Sequence, residues 1–386
     1  MKLDILIVGG GLSGASLACA LRGSRYRVGL VERTPPSRAE GWDARIYAVS
    51  PANVRFLERS GAWSLLPHER VQAVERMHVW GDAGGELSFS AYECGLDALA
   101  WIVESGRLAS ELWETARRQT NIEIFCPAQP ERLDVDSEGA TLTLADGRRI
   151  EAKLVVAADG VQSWVRQQVG LQAHIEPYGE LGVVANFECQ LPHQRTAFQW
   201  FRPDGVLAYL PLPGNQVSIV WSTPESHARE LLALSAEAFA AKVAEAGANR
   251  LGRMRQVTAP AGFPLRLMKV DAVAGRRVVL IGDAAHAIHP LSGHGINLGF
   301  QDAASLADTL VALPSFRDCG EDDVLRAHER KRAEEVALVR GMTHGLNRLF
   351  KPQNGPLATL RNLGMSATGK LPLLRSALAR YAAGLL

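Results

Sequence analysis

Apolar and polar positions follow two different rhythms along this chain. Residues 3 to 8 are a short unbroken apolar run ending in glycines, the pattern of a strand buried in a parallel sheet. Residues 14 to 22 (Gly-Ala-Ser-Leu-Ala-Cys-Ala-Leu-Arg) are small and apolar at helical spacing, and residues 27 to 32 give a second strand. Together they predict a compact strand–helix–strand unit. Residues 52 to 60 and 106 to 118 predict helices. Residues 141 to 157 contain a hairpin-like pair around Asp146-Gly147 and an apolar strand, Leu154-Val-Val-Ala-Ala158, that runs into Asp159-Gly160.

Near residue 180 the rhythm changes. Segments 182–189, 195–201, 206–210 and 216–222 alternate or are rich in strand formers, and Pro203-Asp-Gly205 and Pro213-Gly-Asn215 punctuate the last three as turns. This predicts an antiparallel meander, with one or two Ala/Leu/Glu helices following over 227–248. A strand at 277–282 and a helix over about 295–312 return to the first rhythm. Residues 324–386 are largely helical in pattern, interrupted at Pro352 and Gly355-Pro356. The expected fold class is α/β: a Rossmann-like cofactor domain with an inserted antiparallel β-sheet substrate domain and C-terminal helices. The cofactor domain is expected in three parts, 1–75, 101–180 and 262–323, with substrate-domain strands at 76–100, the substrate domain proper at 181–261 and a helical region at 324–386.

Composition narrows the function classes. With 386 residues the chain can bury a large core, and 47% hydrophobic against 22% charged residues is ordinary for a globular protein. A formal net charge of +1 provides no global field for nucleic acid or anionic membranes. The five cysteines (Cys19, Cys94, Cys126, Cys189, Cys319) are scattered, with no Cys-x-x-Cys and no Cys/His cluster, so neither a redox disulfide nor a metal site is expected. A strand begins within three residues of Met1, without the features of a cleaved leader, and no run approaches about 20 apolar residues. The expectation is a cytoplasmic protein, with the C-terminal helices either packed on the core or presenting a basic amphipathic surface to a membrane or partner protein.

Two glycine-rich segments carry the chemistry. Gly9-x-Gly11-x-x-Gly14 follows a strand and opens a helix. Gly9 permits a tight turn, Gly11 lets backbone approach a diphosphate, and Gly14 lets helix pack on strand. The helix N-terminus offers free N–H groups to the phosphates, with Ser13 inside the fingerprint. Glu32 ends the next strand, placed for a ribose hydroxyl, and Arg33 follows it. The fingerprint suits FAD and NAD equally. The second segment, Val278-Val-Leu-Ile-Gly-Asp-Ala-Ala-His-Ala-Ile-His-Pro-Leu-Ser-Gly-His-Gly-Ile-Asn297, favours FAD. Asp283 is placed to bond a polyol such as ribityl, and a loop with Pro290, Gly293 and Gly295 leads to a helix. The amides around Gly295, Ile296 and Asn297 would set donors near a flavin edge, where negative charge collects on reduction.

At these residues the chain resembles the flavin-dependent aromatic hydroxylases of the para-hydroxybenzoate hydroxylase type. The glycine fingerprint, the central Ala158-Asp159-Gly160-Val-Gln-Ser163 and the late Gly282-Asp283 occur in that family's order. Within the group it is similar to the ubiquinone-biosynthesis hydroxylases, on Asp43-Ala-Arg-Ile-Tyr-Ala-Val-Ser50, Trp101-Ile-Val-Glu-Ser105, Gln199-Trp-Phe-Arg-Pro-Asp-Gly205, Phe263-Pro-Leu265 and His289-Pro-Leu-Ser-Gly-His-Gly-Ile-Asn-Leu-Gly299. The resemblance implies that Arg45 contacts the FAD diphosphate or ribityl region, that Arg107 sits near the phosphates, and that Asp159 supports FAD and the approach of a nicotinamide donor. It places Ile296 and Asn297 at the flavin ring. Ser105 stands where the family usually has asparagine, and His294 where it has glutamine, which leaves the substrate open. His294 could bond substrate or flavin, or be merely tolerated.

The resemblance also implies a reaction: NAD(P)H reduces the flavin, O2 adds to give a C4a-hydroperoxide, and this hydroxylates an electron-rich ring. The cofactor carries the hard chemistry, so no acid, base or metal residue is expected to stand out. The implied substrate is a hydrophobic aromatic molecule, a polyprenylated phenol or quinol of ubiquinone biosynthesis, met by a peripheral protein at the inner membrane face, alone, as a homo-oligomer or in a biosynthetic complex. Trp200, Phe201, Tyr209 and Trp221 could line its cavity or form the meander's own core. Two alternatives stay open: the same chemistry on a soluble aromatic, and a non-catalytic flavoprotein that senses redox state or serves assembly.

Overall fold

The computed structural model describes residues 2–289, 295–350, 355–369 and 371–384. The first rhythm builds an eight-stranded sheet. Lys2–Val8 lies at its centre, parallel to Val28–Val31 on one side and Arg149–Ala157 on the other. Ile122–Phe125 and Val278–Leu280 extend the two sides, also in parallel. Parallel neighbours need crossovers, and helix Leu12–Ala20 makes the first. Helices cover one face, against Ile5 and Ile7, and the antiparallel strands Pro130–Val135 and Ala140–Leu144 cover the other, against Leu6, so all three are fully buried and the run reads as continuous rather than alternating.

The second rhythm builds a nine-stranded sheet. Its spine is Ala173–Cys189, which pairs antiparallel with Gln216–Pro224 and with Ala261–Val270. Gly205–Leu212, Thr196–Arg202, Arg76–Trp80 and Glu86–Ser90 continue it outward. Helices Glu225–Leu232 and Ala236–Ala246 cover one face.

Two of the expected limits move. The spine strand starts at Ala173, well before residue 182, and Ala261–Val270 belongs to this sheet although residue 262 was expected to reopen the cofactor domain. The parallel sheet resumes only at Val278–Leu280. The start of Ala173–Cys189 is exposed and interrupted by Pro177 and Gly179, and Ala261–Val270 opens on exposed Gly262, Phe263 and Pro264, so no clean apolar alternation marks either; each is a strand because the other lies beside it.

Helix Gly295–Val311 packs against Leu12–Ala20, joining the two glycine-rich segments. Three further helices follow, Asp322–Phe350, Gly355–Gly369 and Pro372–Ala382. They pack on the body: Arg361 pairs with Asp82, the Asn362 side-chain oxygen accepts from Gly85 N–H at 2.8 Å, and Phe350 stacks on Phe201 with centroids 3.8 Å apart.

Candidate active site

The fingerprint turn is set by close approaches. Gly9 has φ +106°, and a Cβ there would strike the Ala158 carbonyl, so the turn is pressed against the end of the neighbouring strand. A Cβ on Gly14 would strike the Gly9 carbonyl. Gly11 differs, since among the described residues a Cβ there would meet nothing within 4 Å. It caps helix Leu12–Ala20, and no side chain caps that helix in its place. Bare first-turn N–H groups facing open space form a ready anion cradle.

Glu32 sits at the rim of this cradle. Its carboxylate accepts from Gly10 N–H at 2.6 Å, Arg33 N–H at 2.7 Å and Thr34 N–H at 3.2 Å. The acid is thereby fixed in position, with lone pairs to spare for a diol. Arg33 is exposed beside it.

Ser13 joins the two segments. A Cβ on Gly282 (φ +57°) or on Gly299 would strike the Ser13 hydroxyl, so both glycines exist to admit it. Asp283 is open to the cleft but deep within it. Desolvation there raises its carboxyl above the ordinary value, against the pull of His286 and Arg45. Arg45 is exposed on the same cleft, its guanidinium over the rings of Tyr47 at 5.5 Å and Phe263 at 5.4 Å. Burial pushes the Tyr47 phenol up, and Arg45 opposes it.

Asp159 accepts from Val165 N–H at 3.0 Å through Oδ2, while its Oδ1 is buried with no hydrogen-bond partner among the described residues. A buried carboxylate oxygen without a donor is costly unless a ligand supplies one. The bare cradle, the fixed Glu32 and this oxygen together fit an adenine dinucleotide. Arg107 donates from Nε to buried Glu104 at 2.8 Å, so part of its charge is used within the protein.

Asn297 does more than expected. Its amide oxygen accepts from Ser50 N–H and its amide donates to the Ala48 carbonyl at 2.8 Å, tying the helix start to strand Ile46–Val49. Gly295, Ile296 and Asn297 together line one cavity. Pro290, Gly293 and His294 lie outside the described residues. His289 is fully buried, 3.1 Å from Glu180, so it shapes the loop rather than facing a ligand.

The cavity measures about 390 Å3 and is mostly apolar. Arg45, Tyr47 and Ile296 bound it at the cofactor end, Gln199, Ala208 and Val220 on the sheet side, and Leu378, Ala379 and Ala382 opposite. Here the aromatic candidates need correction. Trp200, Tyr209 and Trp221 all point the other way, into the layer under helices Glu225–Leu232 and Ala236–Ala246. Side chains alternate along a strand, so the cavity receives Gln199, Ala208 and Val220 from positions one residue away. Phe201 faces the cavity side but is covered by Phe350.

Asp302, Arg332 and Arg166, which tie the motifs together, were missed because no motif marks them. Asp302, on the helix after the late loop, accepts from Gly282 N–H at 2.9 Å, from His286 Nε2–H at 2.6 Å and from Arg332 Nε–H at 2.8 Å, all buried. Burial alone would raise its carboxyl, but His286 and Arg332 hold it well below the usual range. Burial would lower His286, and Asp302 outweighs it so that the imidazole is raised. Arg166 donates to the carbonyls of Ala284 and Val161, both at 2.8 Å, lashing the central Asp-Gly motif to the late one. Three polar residues on otherwise apolar helix faces were the available signal.

A family model described as "FAD binding domain" matches residues 2–340. The ubiquinone hydroxylase UbiL of Rhodospirillum rubrum is 34% identical over 386 residues, covering 99% of this chain and 90% of that protein. The 3-demethoxyubiquinol 3-hydroxylase of Escherichia coli is 31% identical, covering 99% and 98%. Among solved structures, p-nitrophenol 4-monooxygenase PnpA of Pseudomonas putida superposes with a TM-score of 0.80 at 20% identity, covering 100% of this chain and 98% of that one, which shows the shared fold.

Proposed function

The chain belongs to this FAD-binding family of ubiquinone-biosynthesis hydroxylases, and we propose that it hydroxylates the aromatic ring of a polyprenylated phenol or quinol intermediate. It is an FAD-dependent monooxygenase. Bound FAD would supply the redox chemistry that activates O2 for transfer of one oxygen atom, with NAD(P)H as reductant.

The protein's own contribution is position and polarity. The Gly11 cradle and the start of helix Leu12–Ala20 would hold the diphosphate. Glu32 would hold the ribose, Asp283 the ribityl chain, and Arg45 with Arg107 would add positive charge along the phosphates and ribityl. The amides of Gly295–Asn297 would donate to the ring edge that gains charge. Asp159, with its unmet oxygen, would complete the contact from the central motif. The cavity walls exclude water from the reacting ring.

The observation that carries this reading is the cavity itself: one apolar chamber touches both the Gly295–Asn297 helix start and the inner face of the antiparallel sheet. Among the described residues no helix is long and apolar enough to cross a membrane, and the membrane contact we infer is peripheral. Purified holoprotein with NADH or NADPH, O2 and a short-chain prenylphenol should yield a product heavier by one oxygen atom in mass spectrometry. Flavin reduction without that product, across prenylphenols of several ring patterns, would refute the assignment.

A further inference from the structure

The last 51 residues, 336 to 386, contain seven Lys or Arg and no Asp or Glu, while the whole chain is only +1. Over the same stretch large apolar side chains face outward. On helix Asp322–Phe350, Leu338, Met342, Leu346 and Leu349 recur at helical spacing and are 37–48% exposed, while Val339, Thr343 and Asn347 turn inward. Leu363 and Leu371 on the following segments are more exposed still. Scattered exposed leucines are ordinary; an acid-free run of them flanked by arginine is not. Arg361 and Arg375 spend their charge inward on Asp82 and Glu93. Arg340, Arg348 and Arg380 pair with no carboxylate among the described residues.

We propose, resting on the prenylphenol reading above, that this face docks on a bilayer surface bearing anionic phospholipid. Leucines and methionine enter the headgroup boundary while the arginines meet lipid phosphates. Outward charge of one sign, on Arg348 and Arg380 of two different helices, matches a diffuse anionic plane.

The same helices reach the substrate. Tyr381, on helix Pro372–Ala382, packs against the cluster that Val339 of the docking helix forms with Ile288 and Leu298, and Leu378, Ala379 and Ala382 of that same short helix wall the cavity. At about 390 Å3 the cavity lies at the small end of ligand pockets, roughly 300–1,000 Å3. It holds a ring and a short chain, so a long prenyl tail must leave it. Leaving beside helix Pro372–Ala382 keeps that tail in lipid.

Flotation of the full-length holoprotein tests this, with vesicles of phosphatidylglycerol plus phosphatidylcholine against phosphatidylcholine alone. Wild type should float with the mixed vesicles and fail to float with the neutral ones. Arg348→Gln with Arg380→Gln should lower the partition about 25-fold, at roughly fivefold per arginine. Met342→Glu with Leu346→Glu should abolish it. Every variant should keep its flavin absorbance and its turnover of a short-chain substrate in buffer; if the glutamate pair loses flavin, the arginine pair alone decides. Wild type that ignores both vesicle types, or binding unmoved by the variants, overturns the proposal. So does a dimer broken by Met342→Glu with Leu346→Glu in a protein that does not float, which assigns the face to a second copy. Intact flotation with no short-chain turnover counts instead against the hydroxylase reading.

Discussion

Replacing Asp302 with alanine should weaken both the fold and the cofactor site. The carboxylate is 3% exposed and neutralises Arg332 and His286, which are equally enclosed, while also taking the Gly282 N–H. Removing one partner of a buried ion cluster costs about 3–5 kcal/mol, because the remaining charges stay buried. At roughly 2.1 cal/mol/K per residue, a chain of 386 residues has an unfolding entropy near 0.8 kcal/mol/K, so Tm should fall by about 4–6 °C. Gly282 precedes Asp283, and losing its acceptor should loosen FAD by about 1–2 kcal/mol, a five- to thirty-fold rise in Kd. The pH dependence has a definite sign. His286 is raised, so its contribution is present below its unfolded pKa of about 6.5 and is lost as pH rises through the folded value. Asp302 is lowered, so its contribution is present above about 4 and is lost only in stronger acid. The gap in Tm between wild type and Asp302→Ala should therefore be widest between about pH 4 and 6.5 and narrow at alkaline pH. Thermal melts of apoprotein across pH, with FAD titrated by quenching of its fluorescence, measure all three. A Tm within about 1 °C of wild type with unchanged FAD affinity would refute the reasoning, as would a pH-independent gap.

Gly11→Ala should weaken FAD binding sharply with little change in apoprotein Tm, since the added Cβ meets no atom of the described residues within 4 Å and fills only the cradle; unchanged FAD affinity would contradict the diphosphate placement. Trp200→Ala should cost about 3–5 kcal/mol in denaturant unfolding and leave KM for a short-chain phenol nearly unchanged, because its ring is buried away from the cavity. Ala208→Phe should do the reverse, keeping FAD and fold but raising KM at least tenfold; equal KM effects from both would overturn the assignment of sheet faces. Asp159→Asn should weaken FAD less than Asp159→Leu does, since only the latter discards both oxygens, and equal losses would argue against a ligand bond to Oδ1.

What the sequence made legible follows the range of the interactions. The strand–helix–strand unit was readable because its turn, its helix start and its glycine spacing are set within a few residues, although Gly9 and Ser13 also answer to Ala158 and Gly282 far along the chain, and the helix start at Gly295 was readable for the same reason. Strand Ala261–Val270 was not, because its reason for being extended is Ala173–Cys189, which lies far back in the chain. The aromatic candidates show a finer limit. Trp200, Phe201, Tyr209 and Trp221 were legible as strand aromatics that line the cavity or form the meander's core, and the core holds for Trp200, Tyr209 and Trp221, because alternation gives two faces and does not say which meets the cavity. That choice was made by the helices after residue 225, which bring Phe239 and Val243 against the large rings and leave Ala208 and Val220 for the ligand side.

The buried ions explain how segments so far apart in sequence can hold one cofactor. Glu104 takes the Asp43 N–H at 2.8 Å, Arg70 at 2.6 Å and Arg107 at 2.8 Å, fixing the Arg45 loop to the helix that carries Arg107. Arg166 fixes the central Asp-Gly turn to Ala284, and Asp302 fixes Gly282 to the C-terminal helix through Arg332. Each ion spans a joint between motifs, and Arg166 and Asp302 belong to none. Apolar packing at these joints could be as stable or more so, since burying charge is expensive. It would not fix direction: a leucine slides against its neighbours, whereas a carboxylate with three donors has one place to be. On this reasoning an apolar double replacement, Asp302→Leu with Arg332→Met, should recover much of the Tm lost in Asp302→Ala yet leave FAD affinity low. Recovery of both together would mean that the ions supply stability alone and that the geometry of the cofactor site is set elsewhere.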